Sequence, residues 1–243
     1  MGTSRMPSFL DEASGYLSSP HADAAPYTAR EYFTALLGQA IHATEDGDYG
    51  ISAALVRRYP DTELISLARN TLISAGDPLG HAETNAIRQF RAFRDLSPDA
   101  RARTALPWTG PVPAAMSSGG VYARPAPGDT GPGEEAVLFT TLEPCPMCTV
   151  AILNSGITAV VIAVPDEEGG ALAPGHLARL PAIFGQVAAS QRLRVTFTSD
   201  SRESDPGTFV PPPLSVLLER AFLDTKQDRD ARLAKGILFR PGT

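Results

Sequence analysis

Two short segments of this 243-residue chain carry residue types that could do chemistry. The first is His81-Ala82-Glu83, and the second is Pro144-Cys145-Pro146-Met147-Cys148, which contains both cysteines of the chain. A catalytic zinc ion takes three thiolate, imidazole or carboxylate ligands from the protein and keeps a fourth position open for water. His81, Cys145 and Cys148 form such a ligand set, so the sequence predicts a Zn²⁺ ion bound by these three residues.

The surroundings of these residues suit that chemistry. The two cysteines fall in the first turn of a predicted helix, where unpaired N–H groups and the helix dipole favour thiolates. Glu83 lies two residues beyond His81, so it can approach a water on the metal without being a ligand. A carboxylate in that place can take up a proton from the water and pass it on. We therefore predict Glu83 as the catalytic residue.

Each half of this pattern is weak when taken alone. His-x-Glu is common, and a lone Cys-x-x-Cys is also typical of structural zinc sites and redox pairs. The joint pattern is that of zinc-dependent deaminases. The sequence resembles the cytidine deaminase-like superfamily over residues 28 to 200, and within it the branch of tRNA adenosine deaminases, guanine deaminases and cytosine deaminases. The matching segments are Asp77-Pro78 before His81-Ala82-Glu83, Thr140 to Cys148, and Asn154-Ser155-Gly156-Ile157.

This resemblance implies further residue roles beside the zinc ligands and the proton-carrying carboxylate. Asn70 matches an asparagine that contacts the substrate in these families, although a turn role is the competing interpretation. The backbones of Ala82 and Glu143 would touch the reacting amidine and the leaving amino group, and the Glu143 side chain is more typical of a structural hydrogen bond. The chain departs from the family at Leu79-Gly80, where Thr-Ala is usual.

The order of the predicted elements is α-β-β-α-β-α-β-α-β-α, which favours a single three-layer α/β domain. The resemblance implies an α/β/α sandwich around a five-stranded mixed sheet whose last two strands are parallel, with the two zinc-binding helices side by side beneath it. We expect a loosely attached arm at 1–26, a zinc deaminase domain at 27–200, and a C-terminal extension with a final helix at 201–243. Residues 97–135 are rich in Pro and Gly and are predicted to be an insertion.

Composition excludes several classes of protein. An apolar fraction of 43% and a charged fraction of 20% are ordinary for a chain with a packed core. The longest apolar run, Ala159 to Val164, is far too short to cross a membrane. No signal-peptide pattern opens the chain, and two cysteines three positions apart cannot form a disulfide framework. These features predict a cytoplasmic protein, and we expect a homodimer.

The function predicted from the sequence is hydrolytic deamination of a nucleobase, a nucleoside or a related small aminated heterocycle, with release of ammonia. The alternative within enzymes is a tRNA adenosine-to-inosine deaminase, and the alternative outside them is a non-catalytic zinc module or nucleic-acid-binding scaffold. An intact Glu83 argues against a structural zinc site. A net charge of −6, two lysines (Lys226 and Lys235) and the acidic run Asp166-Glu167-Glu168 argue against a nucleic-acid partner.

Overall fold

The computed structural model of the chain describes residues 9–18, 29–58, 62–95, 135–173, 175–201 and 208–234. Its centre is a five-stranded sheet with the strand order β2-β1-β3-β4-β5. Strand β1 is antiparallel to β2 and to β3, whereas β3, β4 and β5 are parallel. This confirms the mixed sheet with parallel last strands that the resemblance implies. The strands are β1 Ser52–Arg58, β2 Thr62–Arg69, β3 Glu135–Leu142, β4 Ala159–Val164 and β5 Arg194–Phe197.

Helices cover both faces of this sheet. One face carries α1, α2 and α6, which pack together, and the other carries α3 and α4, which lie side by side with α5 against α4. The sandwich and the paired helices therefore agree with expectation. The helices are α1 Phe9–Ser18, α2 Ala29–Glu45, α3 Ala82–Asp95, α4 Pro146–Leu153, α5 Ala182–Ser190 and α6 Pro212–Ala234. No helix in the described ranges is long and apolar enough to span a bilayer.

The strands supply side chains alternately to two apolar cores. In β4, Val161 belongs to the core under α2 and α6, while Val160 and Ile162 belong to the core under α3 and α4. Successive side chains of a strand point to opposite faces, and every residue of β4 is buried. An interior parallel strand covered on both faces has this continuous apolar character, and for this reason the apolar segment from Ile157 to Val164 predicts a buried strand.

The elements predicted from the sequence agree closely with the structure. The short runs 51–57 and 63–68, with the turn residues Pro60 and Asp61 between them, predict an antiparallel hairpin, and β1 and β2 pair in that way. The sequence predicts that Gly156 closes the helix that begins at Pro146, and Gly156 has a positive φ of 74° two residues beyond the C-cap Asn154. The sequence also predicts a helix within 177–193, and this helix is α5, preceded by a short 3₁₀ turn at His176–Arg179.

The expectation of a loosely attached arm at 1–26 is wrong for residues 9–18, which form α1. Phe9 and Ala13 are buried in the core, and Glu12 forms an ion pair with Arg220 of α6. A helix this short is marginal in isolation, so packing against α6 accounts for its stability. Residues 96–134, which include nearly all of the predicted insertion at 97–135, lie outside the described residues, and the division into domains stays a prediction.

Candidate metal and catalytic site

The three predicted metal ligands lie together. Ligand atoms of His81, Cys145 and Cys148 are all within 4.8 Å of one another, and Nδ1 of His81 is 3.6 Å from Sγ of Cys145. Cys148 is completely buried, whereas His81 and Cys145 are partly accessible. Two thiolates and one imidazole are ligands that zinc favours, and three protein ligands leave one tetrahedral position for water. The donor set therefore fits a zinc ion of the catalytic type.

Each ligand is placed by the first turn of a helix. His81 directly precedes α3, and its carbonyl accepts the N–H of Asn85 at 2.9 Å. Cys145 is the N-cap of α4, where its carbonyl accepts the N–H of Thr149 at 2.9 Å, and Pro146 occupies the first helical position. Because α3 and α4 pack against each other, their N-terminal ends bring ligands that are 64 residues apart in sequence into contact.

Glu83 lies directly beside this cluster. Its side chain is almost fully buried, and its Oε2 is 3.4 Å from Sγ of Cys148. The hydroxyl of Thr140, on β3, is 3.4 Å from Oε1 of the same carboxylate. Sequence reasoning did not single out Thr140. The available signal was a hydroxyl residue in the otherwise apolar run of a buried strand, since such a group needs a polar partner.

The proximity of these groups changes their acidity in the metal-free chain. A hydrogen bond from the Cys148 thiol, together with His81, lowers the pKa of Cys145 to about 4. The hydrogen bond to Cys145 and burial raise the pKa of Cys148. The hydrogen bond with Cys145 raises the pKa of His81, and burial raises the pKa of Glu83. The group thus holds a thiolate already formed, beside a carboxyl group whose pKa is raised by burial.

The segment that leads into His81 is a tight turn. The N–H of Gly80 donates to the carbonyl of Asp77 at 2.8 Å, and its own carbonyl accepts the N–H of Thr71 at 2.8 Å. A Cβ atom on residue 80 would lie 2.9 Å from the Asp77 carbonyl and 3.1 Å from the nitrogen of Leu72. The segment Leu79-Gly80 therefore lies in a turn that is too close for an alanine at residue 80.

Asn70, predicted to contact the substrate, is buried at the end of β2. Its Oδ1 accepts the N–H of Leu72 at 3.0 Å, which is the turn geometry considered as the alternative. Its Nδ2 has no hydrogen-bond partner among the described residues. The oxygen of the amide is thus used by the turn, and the nitrogen is not.

Glu143, the third predicted substrate contact, directly precedes the segment Pro144 to Cys148, which we name the zinc-binding turn. The side chain of Glu143 is buried. Its carboxylate accepts hydrogen bonds from backbone N–H groups of the segment that follows β4, residues 165–173, which we name the post-β4 loop. Burial alone would raise the pKa of Glu143, but these N–H groups outweigh it and lower the pKa. These bonds are the structural role that the sequence favoured for the Glu143 side chain. Ala82, the remaining predicted substrate contact, lies fully buried at the start of α3.

Comparison with known proteins gives a family match, a curated relative and several similar structures. Residues 27–164 match the family described as the cytidine and deoxycytidylate deaminase zinc-binding region. A tRNA-specific adenosine deaminase of Aquifex aeolicus (strain VF5) is 29% identical over 142 residues, which cover 58% of this chain and 70% of that protein. The structure of guanine deaminase from Nitrosomonas europaea is similar over 92% of this chain and 97% of that one, at 20% identity and a TM-score of 0.48. That of the Rib2 deaminase from Aspergillus oryzae is similar over 88% of this chain and 99% of that one, at 14% identity and a TM-score of 0.46.

Proposed function

The chain belongs to the cytidine and deoxycytidylate deaminase zinc-binding family, and from that premise we propose that it is a zinc-dependent hydrolytic deaminase. The substrate proposed is a nucleobase, a nucleoside or a related small heterocycle, whose amino group is replaced by a carbonyl as ammonia leaves. The observation that carries the proposal is the cluster of His81, Cys145 and Cys148 with the buried Glu83 carboxylate in contact with one of them.

In this proposal the chain holds the ion through Nδ1 or Nε2 of His81 and the two sulfur atoms. Zinc bound there supplies the Lewis acidity that makes a water nucleophilic near neutral pH. Glu83 would receive a proton from the attacking water as the water oxygen bonds to the ring carbon that bears the amino group. The same carboxyl group then protonates the adjacent ring nitrogen and, with the second proton of the water, the departing amine. Water and the amino compound are converted to a carbonyl compound and ammonia, so atoms and protons balance.

The remaining predicted site residues are proposed to orient the ring. The Nδ2 of Asn70, which has no partner among the residues that the structure describes, supports a hydrogen bond to the substrate, because the Oδ1 is already used by Leu72. Ala82 is the first residue of α3, and Glu143 lies three residues before α4. We propose that the backbones of both residues lie close to the reacting carbon of the substrate. An Asn70→Asp variant keeps the turn acceptor and removes the amide donor. It should therefore raise KM and leave the bound zinc unchanged.

The charge of the post-β4 loop supports a small substrate over a polynucleotide. This loop hydrogen-bonds to the zinc-binding turn, and the Glu167 and Glu168 side chains on it are about four-fifths exposed. A polynucleotide is held by neutralised phosphates, and carboxylates at such a place repel them. The chain as a whole carries a net charge of −6.

A second candidate function, tRNA adenosine-to-inosine deamination, is supported by the 29% identity to a tRNA-specific adenosine deaminase. One pair of assays separates the two candidates. Ammonia release is measured across purines, pyrimidines, their nucleosides, aminotriazines and pterins, and inosine formation is measured in an anticodon stem-loop. Turnover of a small heterocycle without RNA editing supports our proposal, and the reverse pattern overturns it. Inactivity in both assays would favour the non-catalytic zinc module.

The homodimer expected from the sequence stays a prediction, which sedimentation analysis can test.

A further inference from the structure

The carboxylate of Glu143 collects an unusual number of donors for a residue outside the metal cluster. Its Oε1 accepts the N–H groups of Leu172 at 2.7 Å and Ala173 at 2.6 Å, and lies 3.0 Å from Nδ1 of His176. Its Oε2 accepts the N–H of Asp166 at 3.1 Å. A carboxylate can take several such bonds, and charge-assisted bonds of this kind are stronger than neutral ones. One buried side chain therefore holds both ends of the post-β4 loop.

The post-β4 loop is in turn joined to the zinc-binding turn. The N–H of Ala171 donates to the carbonyl of Pro144 at 3.0 Å, one residue before Cys145. Leu172 and Ala173 belong to the same apolar core as Ala82 of α3 and Ile152 of α4, the helices whose first turns carry the metal ligands. The loop thus packs on the framework of the site from the side of β4.

Two further contacts show how closely this arrangement is fitted. A Cβ atom on Gly170 would lie 2.3 Å from Cδ of Glu143, so residue 170 can be only glycine in this conformation. On its outer side, the loop is tied to the C-terminal helix α6 through an ion pair of 3.1 Å between Lys226 and Glu168. The loop is therefore held from within by Glu143 and from outside by α6.

We propose that the Glu143 side chain is a positioning residue for the proposed deamination: it fixes the post-β4 loop against the zinc-binding turn so that the loop forms one wall of the substrate site. This inference rests on the proposed function. It assigns to the side chain a role separate from the substrate contact proposed for the Glu143 backbone. The loop would then determine how tightly the heterocycle is bound, while the metal ligands and Glu83 determine the chemical step.

The test uses Glu143→Gln and Glu143→Ala in the zinc-loaded full chain. The glutamine keeps the shape of the side chain and an oxygen that can accept the bonds made to Oε1. Its NH₂ group then faces the N–H of Asp166 and cannot accept that hydrogen bond. The alanine removes every bond. We expect KM for the best small substrate to rise by about tenfold in the alanine variant and by less in the glutamine variant, with kcat lowered by less than about threefold. The zinc content should not change.

Hydrogen exchange provides a second readout that does not depend on activity. The amides of Asp166, Leu172 and Ala173 should exchange faster in both variants, while amides of β1 keep their wild-type rates. Tyr49→Phe is the matched control. It removes a hydrogen bond of 2.6 Å to Asp230 on the face of the sheet covered by α6, so it should lower stability without changing KM or exchange in the loop.

Two outcomes overturn the inference. In the first, KM and loop exchange stay at wild-type values in both variants. In the second, zinc and kcat are lost together at an unchanged KM, which would make Glu143 a support of the metal site alone. If the wild-type protein turns over none of the heterocycles, the proposed function fails by itself. Exchange of the loop amides relative to β1 then still decides whether Glu143 fixes this loop.

Discussion

Sγ of Cys148 and Oε2 of Glu83 are 3.4 Å apart, and both side chains are buried. A residue proposed to hold the metal and the residue proposed to move the proton are therefore in direct contact, on two different helices. Their proposed roles are nevertheless separable by experiment, because one offers a sulfur atom to the ion and the other offers a carboxylate oxygen to the water.

Substitution of a metal ligand should remove zinc. Protein purified without added metal should contain about one zinc equivalent per chain. His81→Ala, Cys145→Ala and Cys148→Ala should each lose most of it, since two ligands hold zinc far more weakly than three. Elemental analysis checks this, with His42→Ala as the control because His42 lies on α2 and contacts Glu45. A folded wild-type protein that binds no zinc would contradict the proposed mechanism.

Substitution of Glu83 should separate metal binding from turnover. Glu83→Gln keeps the size of the side chain and removes its ability to accept and return a proton, so kcat should fall by a factor of about 10² to 10⁴. The zinc content should stay at the wild-type level. Steady-state ammonia release together with metal analysis gives the measurement, and Glu45→Gln on α2 serves as an exposed control. Retention of more than about a tenth of the turnover would mean that another group carries the proton.

The two cysteines should differ in reactivity once the metal is removed. The pKa of Cys145 is lowered to about 4 and that of Cys148 is raised, so Cys145 is a thiolate at neutral pH and Cys148 is not. Iodoacetamide should modify Cys145 first, at a rate that changes little between about pH 6 and pH 8, whereas an ordinary thiol reacts about tenfold faster for each pH unit there. Peptide mass spectrometry reads both sites. Equal rates at both cysteines would contradict the prediction, and added zinc should protect them together.

The close contact between Gly50 and α6 predicts a large loss of stability on substitution. A Cβ atom at residue 50 would lie 2.1 Å from the carbonyl oxygen of Ala221. Gly50→Ala must therefore displace α6 and should lower the free energy of unfolding by more than about 2 kcal/mol. Gly185→Ala is the matched control. Nothing lies within 4 Å of a Cβ there, and α5 should gain up to about 1 kcal/mol from the better helix former. Urea unfolding compares the two, and similar midpoints would contradict the prediction.

Much of the sheet and of the metal cluster could be predicted from the sequence because the signals are local. Short and continuous apolar runs bounded by turn residues predicted the strands, and helical spacing of apolar residues predicted helices. The Cys-x-x-Cys spacing at a helix start indicated the ligands. Helix α1 was missed because ten residues with a glycine and two serines carry a weak pattern, and its stability comes from α6, some 200 residues further along the chain.

The contacts of Glu143 and Thr140 could not be predicted for a different reason. Glu143 bonds to groups 23 to 33 residues away, and Thr140 lies near a carboxylate 57 residues before it. No spacing rule links such positions, since the link is made by the register of β3 against β4 and by the packing of α3 on the sheet. Polar contacts of buried side chains across a fold follow only when the fold is known.

The contact between Gly50 and Ala221 has a consequence for the order in which the protein folds during synthesis. Helix α2 and strand β1 leave the ribosome early and pack together, but α6, which covers β3 and β4 on the same face, arrives some 170 residues later. All five strands have been made by Phe197, and until α6 follows, the part of this apolar face over β3 and β4 remains open to water and to other chains. Contacts between distant parts of a chain slow folding, and exposed apolar surface invites aggregation. Nascent chains stalled before Pro212 should therefore depend on chaperones, whereas chains released after Ala234 should not.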